Sequence, residues 1–250
     1  MSLPMPYYDE NGITVYHGNC LEILPDLAPA DLVLTDPPYG ETSLKWDEYC
    51  TEWSGSAGAA LKATGSLWCF GSLRMFLKQA ASWRYWSFAQ DVVWEKQNGS
   101  GFHADRFKRI HEHICQFYRG EWANVYKAPV MTMDATAKTT RRKGRPTHTG
   151  HIENTPFVSF DGGPRLMKSI FRVKNCHGYA DHPTQKPLGV IVPLINYSCP
   201  PGGTILDPFG GSLSTAVAAK ALGRKCITIE ISEEYCERGV KRLAQGVLAL

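Results

Sequence analysis

From Thr204 to Glu230 the chain reads as a strand, a glycine turn, an alanine-rich helix, a second strand and a closing acid, and few folds accept that order. Thr204 to Leu206 is the first strand, running into Asp207-Pro208-Phe209-Gly210-Gly211-Ser212. Leu213 to Leu222 is the helix, with Gly223 as its stop, and Lys225 to Glu230 is the second strand. Ser232 then caps a helix with Glu233 and Glu234 in its first turn, where the dipole favours them. The same alternation runs through the N-terminal half. Ile13 to His17 is a strand, Cys20 to Leu27 one or two helical turns, and Asp31 to Thr35 a buried strand stopped by Asp36-Pro37-Pro38-Tyr39-Gly40. Glu48 to Ala63 reads as helix, Ser66 to Phe70 as a buried strand, and Leu73 to Trp83 as helix. Strands follow near Phe88 to Trp94 and His113 to Tyr118, and Leu188 to Tyr197 is helical. Strands alternating with helices predict an α/β domain with a mostly parallel sheet.

A chain of 250 residues with 43% hydrophobic content can build one real core. The net charge of +3 excludes a histone-like polycation but leaves room for a local basic face. One candidate lies between Ala135 and Ile152, a stretch without acidic residues that carries Lys138, Arg141, Arg142, Lys143 and Arg145. No clear period appears from about Glu121 to Asp181. Residues 1–120 and 182–250 therefore read as the main domain and 121–181 as an insertion with little core of its own. The eight cysteines are scattered without a C-x-x-C pair, so neither a disulfide framework nor a zinc or other metal site is expected. Reduced cysteines, the lack of an apolar run of membrane-spanning length and the lack of a visible signal peptide point to the cytoplasm.

In a strand–glycine turn–helix–strand unit the glycines let backbone approach a ligand, and an acid about twenty residues on binds ribose hydroxyls. Glu230 stands at that place. The dinucleotide fingerprint G-x-G-x-x-G is absent, which disfavours NAD and FAD. A nucleoside-bearing ligand without pyrophosphate fits better, and S-adenosylmethionine is one. A βα turn that needs glycines only for packing is the alternative.

In an open parallel sheet ligands bind at the carboxyl ends of strands, where Asp36-Pro37-Pro38-Tyr39 falls. A plain turn has little reason to combine a carboxylate, two prolines and an aromatic. Each has a use in methylating an aromatic amine, whose nitrogen is a poor nucleophile because its lone pair is delocalised. Two acceptors holding both N–H hydrogens favour a pyramidal nitrogen. Asp36 supplies a carboxylate oxygen and Pro37 its main-chain carbonyl, which the proline ring keeps aimed. Tyr39 offers a flat face to a base swung out of a duplex. Such a site works by positioning and electrostatics, without a covalent intermediate.

Together, Asp36 to Tyr39 and Asp207 to Ser214 (DPFGGSLS) resemble the DNA amino-methyltransferases, which make N6-methyladenine or N4-methylcytosine. The catalytic motif precedes the cofactor motif with a target-recognition segment between, as in the β group of that family. His182-Pro183-Thr184-Gln185-Lys186-Pro187, Gly18 to Leu24, and Arg106-Phe107-Lys108 with His111-Glu112 resemble three further blocks. The resemblance implies a Rossmann-like class I methyltransferase, with a mostly parallel seven-stranded sheet flanked by helices and a small DNA-recognition insertion. It implies S-adenosylmethionine as cofactor, double-stranded DNA as substrate and adenine N6 as target, because Asp rather than Ser stands at position 36. Asp36, Pro37, Pro38 and Tyr39 would be catalytic. Asn19 and Cys20 would lie near the cofactor adenine and Glu230 on its ribose. Asp207, Pro208, Phe209, Gly210, Gly211, Ser212 and Leu213 would line the methionine end, near Asp36 and Pro37. Thr184, Gln185 and Lys186 would lead in at a helix N-terminus, with Lys186 suited to the cofactor carboxylate. Leu213 stands where the family commonly has glycine, and Asn19 where Asp is common.

The basic run Lys138 to Arg145 is a candidate phosphate grip, with Arg106 and Lys108 as second candidates. A solvated loop is the alternative meaning of such a run. Trp46, Trp94 and Phe102 read as packing groups. Cytosine-C5 methylation is disfavoured, since no Pro-Cys pair occurs. N4-cytosine methylation is the close rival, and a catalytically silent DNA-binding module the remote one. Membrane is not an expected partner; a homodimer and a cognate restriction endonuclease are candidates, as in restriction-modification pairs.

Overall fold

The computed structural model describes residues 2–41, 47–100, 104–140, 157–176 and 185–245. In chain order the main sheet begins with β1 (Tyr8–Glu10), β2 (Ile13–His17) and β3 (Ala30–Thr35), with α1 (Cys20–Ile23) between the last two. α2 (Trp53–Ala59), β4 (Leu61–Gly71), α3 (Leu73–Lys78), β5 (Ser87–Ser100) and β6 (Arg109–Tyr118) follow. The short strands β7 (Met131–Thr132), β8 (Lys138–Thr140), β9 (Phe157–Ser159) and β10 (Arg165–Leu166) come next. The chain then forms β11 (Ile170–Arg172), α4 (Leu188–Ser198), β12 (Thr204–Asp207), α5 (Ser214–Ala221), β13 (Lys225–Glu230) and α6 (Glu233–Ala244).

Nine strands order as β1-β2-β13-β12-β3-β4-β6-β5-β11. The run β2-β13-β12-β3-β4 is parallel throughout, and β6 pairs antiparallel with both β4 and β5. The seven strands from β2 to β5 form the sheet expected from the sequence, and β1 and β11 extend its edges. β1 joins β2 through Asn11-Gly12, both at positive φ (53° and 77°), a two-residue turn whose twist suits a hairpin. β11 pairs parallel with β5, so Ile170 to Arg172 belong to the main sheet.

Parallel strands covered on both faces read as unbroken apolar runs, which is why DLVLT was legible. Leu32, Val33 and Leu34 are fully buried. Val33, Leu67, Cys69, Leu206 and Ile229 pack with Trp53 and Ala57 of α2 and Met75 of α3 on one face. On the other face α4 covers Trp68, whose indole N–H donates to Ser198 Oγ at 2.7 Å. The helix expected over Glu48 to Ala63 is confined to Trp53–Ala59. Leu61 already pairs with Ala30, and a Cβ on Gly65 would stand 2.7 Å from the Asp31 carbonyl, so this stretch serves the sheet.

Two compact units emerge: 1–128 with 169–250, and 129–168. In the smaller unit β7 pairs with β10 and β8 with β9, both antiparallel. Asp134 pairs with Arg165, and Ala135 is buried.

Gly239 in α6 lies against Leu213, where a Cβ would meet Leu213 Cγ at 2.3 Å and Cδ1 at 2.5 Å. Leu213 is fully buried and cannot retreat. Gly239→Ala should cost about 1–3 kcal/mol of stability by overpacking, read from urea unfolding midpoints; an unchanged midpoint would show that the packing yields.

Candidate active site

β3 and β12 are neighbours, with Leu32 opposite Ile205 and Val33 opposite Leu206. After β3 the sheet continues to β4 on one side; after β12 it continues to β13 on the other. Two strands whose continuations diverge leave a crevice beyond their carboxyl ends. Asp36 to Tyr39 and Asp207 to Ser212 are the segments at those two ends. Thr35 joins them, its hydroxyl donating to Asp207 Oδ1 at 2.8 Å.

A cavity of about 530 Å³ occupies the crevice, within the range of small-molecule sites. Its walls include Asn19, Cys20, Asp36, Pro38, Lys186, Asp207, Pro208, Phe209, Gly210, Gly211, Ser212 and Glu230, so most of the residues expected to be catalytic or cofactor-binding converge. At the β13 end, Glu230 Oε2 accepts from the Gly211 N–H at 2.6 Å and Oε1 from the Ser232 N–H at 2.8 Å. Gly211 adopts φ 51° to aim that N–H, and Gly210 packs so closely that a Cβ would stand 2.5 Å from Thr228 Oγ1. Both glycines are therefore required locally, one for conformation and one for close approach. Burial raises the Glu230 carboxyl above the usual range, against the pull of these backbone donors. Burial likewise pushes Asp207 up to about 7.

The Asp36 carboxylate is enclosed by charge. The Tyr39 hydroxyl donates to Oδ1 and the Lys186 ammonium to Oδ2. Lys186 Nζ also lies 3.6 Å from Glu112 Oε2, and Glu112 Oε1 pairs with Lys96. Burial raises the Asp36 carboxyl, with Lys186 opposing it. Burial raises the Tyr39 hydroxyl further still, so it remains a donor. Burial works against the Lys186 ammonium, but Asp36 and Glu112 outweigh it and leave its pKa above the ordinary value.

Some expected residues fall elsewhere. Pro37 is buried in the turn after β3, and Tyr39 meets Asp36; neither lines the cavity, nor does Gln185. Leu213 points into the core against Gly210 and Gly239, at φ 55°. Leu213 was expected to line the methionine end; its side chain packs against these two glycines instead and is not among the residues that line the cavity. Asn19 caps α1, its Oδ1 accepting from the Leu21 N–H at 3.0 Å. Arg106 pairs with the adjacent Asp105, while Lys108 and Lys138 are exposed. Trp94 is buried, its indole N–H donating to the Val173 carbonyl at 2.7 Å. Trp46, Phe102, Arg141, Arg142, Lys143, Arg145, His182 and Thr184 lie outside the described residues. No group of three or more His, Cys, Asp or Glu among the described residues could hold a metal ion, and no described helix is long and apolar enough to cross a membrane.

Sequence reading missed Lys96, Asp47 and the ionic role of Glu112. The strands expected there stop at Trp94 and start at His113, so the sequence offered no signal for Lys96 or Glu112, which the longer β5 and β6 include. Asp47 carried none. Its Oδ1 accepts from the N–H groups of Tyr39 (2.7 Å) and Gly40 (2.9 Å), and its Oδ2 from that of Glu41 (3.0 Å).

A family model for N6/N4 methyltransferases, described as a DNA methylase, matches residues 30–241. The type II methyltransferase M.HinfI of Haemophilus influenzae is 28% identical over 262 residues, covering 93% of this chain and 68% of the relative. M.ScaI of Streptomyces caespitosus is 27% identical over 267 residues, covering 97% and 84%. Among solved structures, M1.HpyAVI in complex with SAM matches with a TM-score of 0.64 at 23% identity, over 92% of this chain and 98% of that one. The cytosine-N4-specific PvuII DNA methyltransferase matches at 0.66 and 17% identity, over 95% and 88%. These likenesses establish the Rossmann-like class I methyltransferase fold.

Three backbone donors on one buried carboxylate make Asp47 the fastener of the turn that follows β3. Asp47→Ala should slow turnover at least tenfold, since charged hydrogen bonds are worth about 1.5–3 kcal/mol each, while ligand affinity at the Glu230 end holds. Turnover and equilibrium binding measured on the same preparation check this; unchanged turnover would contradict it.

Proposed function

The chain belongs to the N6/N4 DNA methylase family, and we propose that it transfers a methyl group from S-adenosylmethionine to the exocyclic N6 of adenine in double-stranded DNA. The carrying observation is the placement of Asp36 at the β3 end, in the wall of the same cavity as Glu230 and Gly211.

The cavity suits the cofactor by its chemistry. Glu230 is an acceptor fixed by two backbone N–H groups, which suits ribose hydroxyls. Cys20 and Ile231 offer apolar surface for an adenine, with Asn19 beside them. Asp207, Phe209 and Gly211 would take the methionine end. When bound, S-adenosylmethionine supplies a methyl group on a positively charged sulfur. The chain's own part is to present the nucleophile. The Asp36 carboxylate accepts one amino hydrogen and the Pro37 carbonyl the other, which frees the nitrogen lone pair from the ring. The Tyr39 hydroxyl sits on Asp36 Oδ1. The arriving amino group displaces it, and the ring then stacks on the extruded base.

Asp at position 36 favours adenine over cytosine by family resemblance. Residues 121–181, within which the compact unit 129–168 falls, are proposed as the target-recognition segment. Lys138, Arg141, Arg142, Lys143 and Arg145 would meet phosphates there, with Arg106 and Lys108 nearer the flipped base. A cognate restriction endonuclease is the partner suggested by two relatives named as type II methyltransferases. A cytoplasmic location is proposed along with this activity.

Incubation with labelled cofactor and mixed-sequence DNA, followed by digestion to nucleosides, should yield N6-methyladenine. N4-methylcytosine would reassign the base, and cofactor binding without methyl transfer would support a silent module. Replacing Arg141, Arg142 and Lys143 with Ala should weaken DNA binding and lower the slope of log affinity against log salt by about 2 to 3; unchanged binding would refute the phosphate role.

A further inference from the structure

Lys186 is the most enclosed cation of the site. Its side chain is 9% exposed. Nζ is bonded to Asp36 Oδ2, stands 3.6 Å from Glu112 Oε2 and lies 5.3 Å from the centre of the Phe70 ring. Two carboxylates and an aromatic face surround one ammonium. Glu112 in turn is anchored by Lys96, which lies 4.8 Å from the Trp94 ring centre. A chain of alternating charge, Lys96–Glu112–Lys186–Asp36, thus runs from the β5–β6 pair to the catalytic turn. Glu112 Oε2 has no hydrogen bond among the described residues, so it holds Lys186 by charge rather than by a formed bond.

We propose that Lys186, held by Glu112, is a positioning residue for Asp36: it fixes the orientation of that carboxylate and keeps it ionised for the target amino group, rather than binding the cofactor carboxylate. This inference rests on the reading of Asp36 as the amine acceptor. Taking a carboxylate out of water favours its neutral form, and a protonated Asp36 would lose half of its acceptor capacity. An ammonium in direct contact opposes this, and Glu112 shares that same ammonium. Besides Lys186, the groups that face Asp36 are Glu112 from β6, Tyr39 from its own turn, Asp207 from the β12 end and Cys69 from β4, with Arg109 acting on Glu112 from behind.

The two neighbours act with opposite sign on Asp36, and the test uses that. Single-turnover methylation rates of wild type, Lys186→Met and Glu112→Gln are measured against pH, with S-adenosylmethionine affinity from calorimetry. Lys186→Met removes the positive charge, so the acid limb moves up by about one pH unit or more. Glu112→Gln removes a repelling charge and leaves Lys186 undivided, so the limb moves down. Affinity for the cofactor stays close to wild type in both. Limbs that stay put, or that move the same way, overturn the proposal. So does a loss of affinity of about tenfold or more in Lys186→Met with its limb unmoved, which would return Lys186 to the cofactor. Should Lys186→Met fail to fold, Lys186→Gln takes its place, with the same upward shift expected and an unmoved limb overturning the proposal. A wild type that methylates no DNA would sink the underlying reading instead.

Discussion

β3 and β12 lie side by side, and the chain leaves them toward opposite edges of the sheet. Everything chemical in the protein follows from that divergence. It opens a crevice, brings the Asp36 turn from the first half of the chain against the glycine turn from the second, and lets Thr35 tie the two together through Asp207. Permuted motif order is no obstacle, because the sheet depends on which strands neighbour one another and not on which is made first.

The crevice concentrates ionisable groups where burial makes charge expensive. Asp207, Glu230 and Asp36 are all driven toward their neutral forms by desolvation. Each meets a different remedy. Glu230 takes two backbone N–H donors, Asp207 takes the Thr35 hydroxyl and the Phe209 N–H, and Asp36 takes Lys186. A nucleoside hydroxyl, the ligand group proposed for Glu230, would need only an acceptor, which fixed neutral donors suffice to hold. An amine to be activated, the role proposed for Asp36, would need a full carboxylate, and of these three only Asp36 contacts a lysine among the described residues, one that it shares with Glu112.

Much of this was legible in the sequence, for reasons that can be named. Strands buried on both faces are apolar throughout, and glycine turns announce backbone that must bend or approach closely. β2, β3, β12, β13 and the stop at Gly223 therefore stood out. Three features did not. β11 is short and comes from a stretch without period, and it is a strand because β5 offers a partner edge. Leu213 reads as a lining residue of the glycine turn until Gly239 is seen to leave its side chain a place in the core. Asp47 is an unremarkable acid in sequence, since the N–H groups it gathers belong to a turn whose shape no local pattern encodes.

The account stands on one carboxylate. Replacing Asp36 by Ala and following label transfer from S-adenosylmethionine to DNA, with cofactor binding measured alongside, tests it most directly. Retained binding with transfer reduced by several orders of magnitude is the predicted result. Transfer at the wild-type rate would contradict the account, because the amino group would then be activated without the acceptor on which the whole arrangement of the crevice converges.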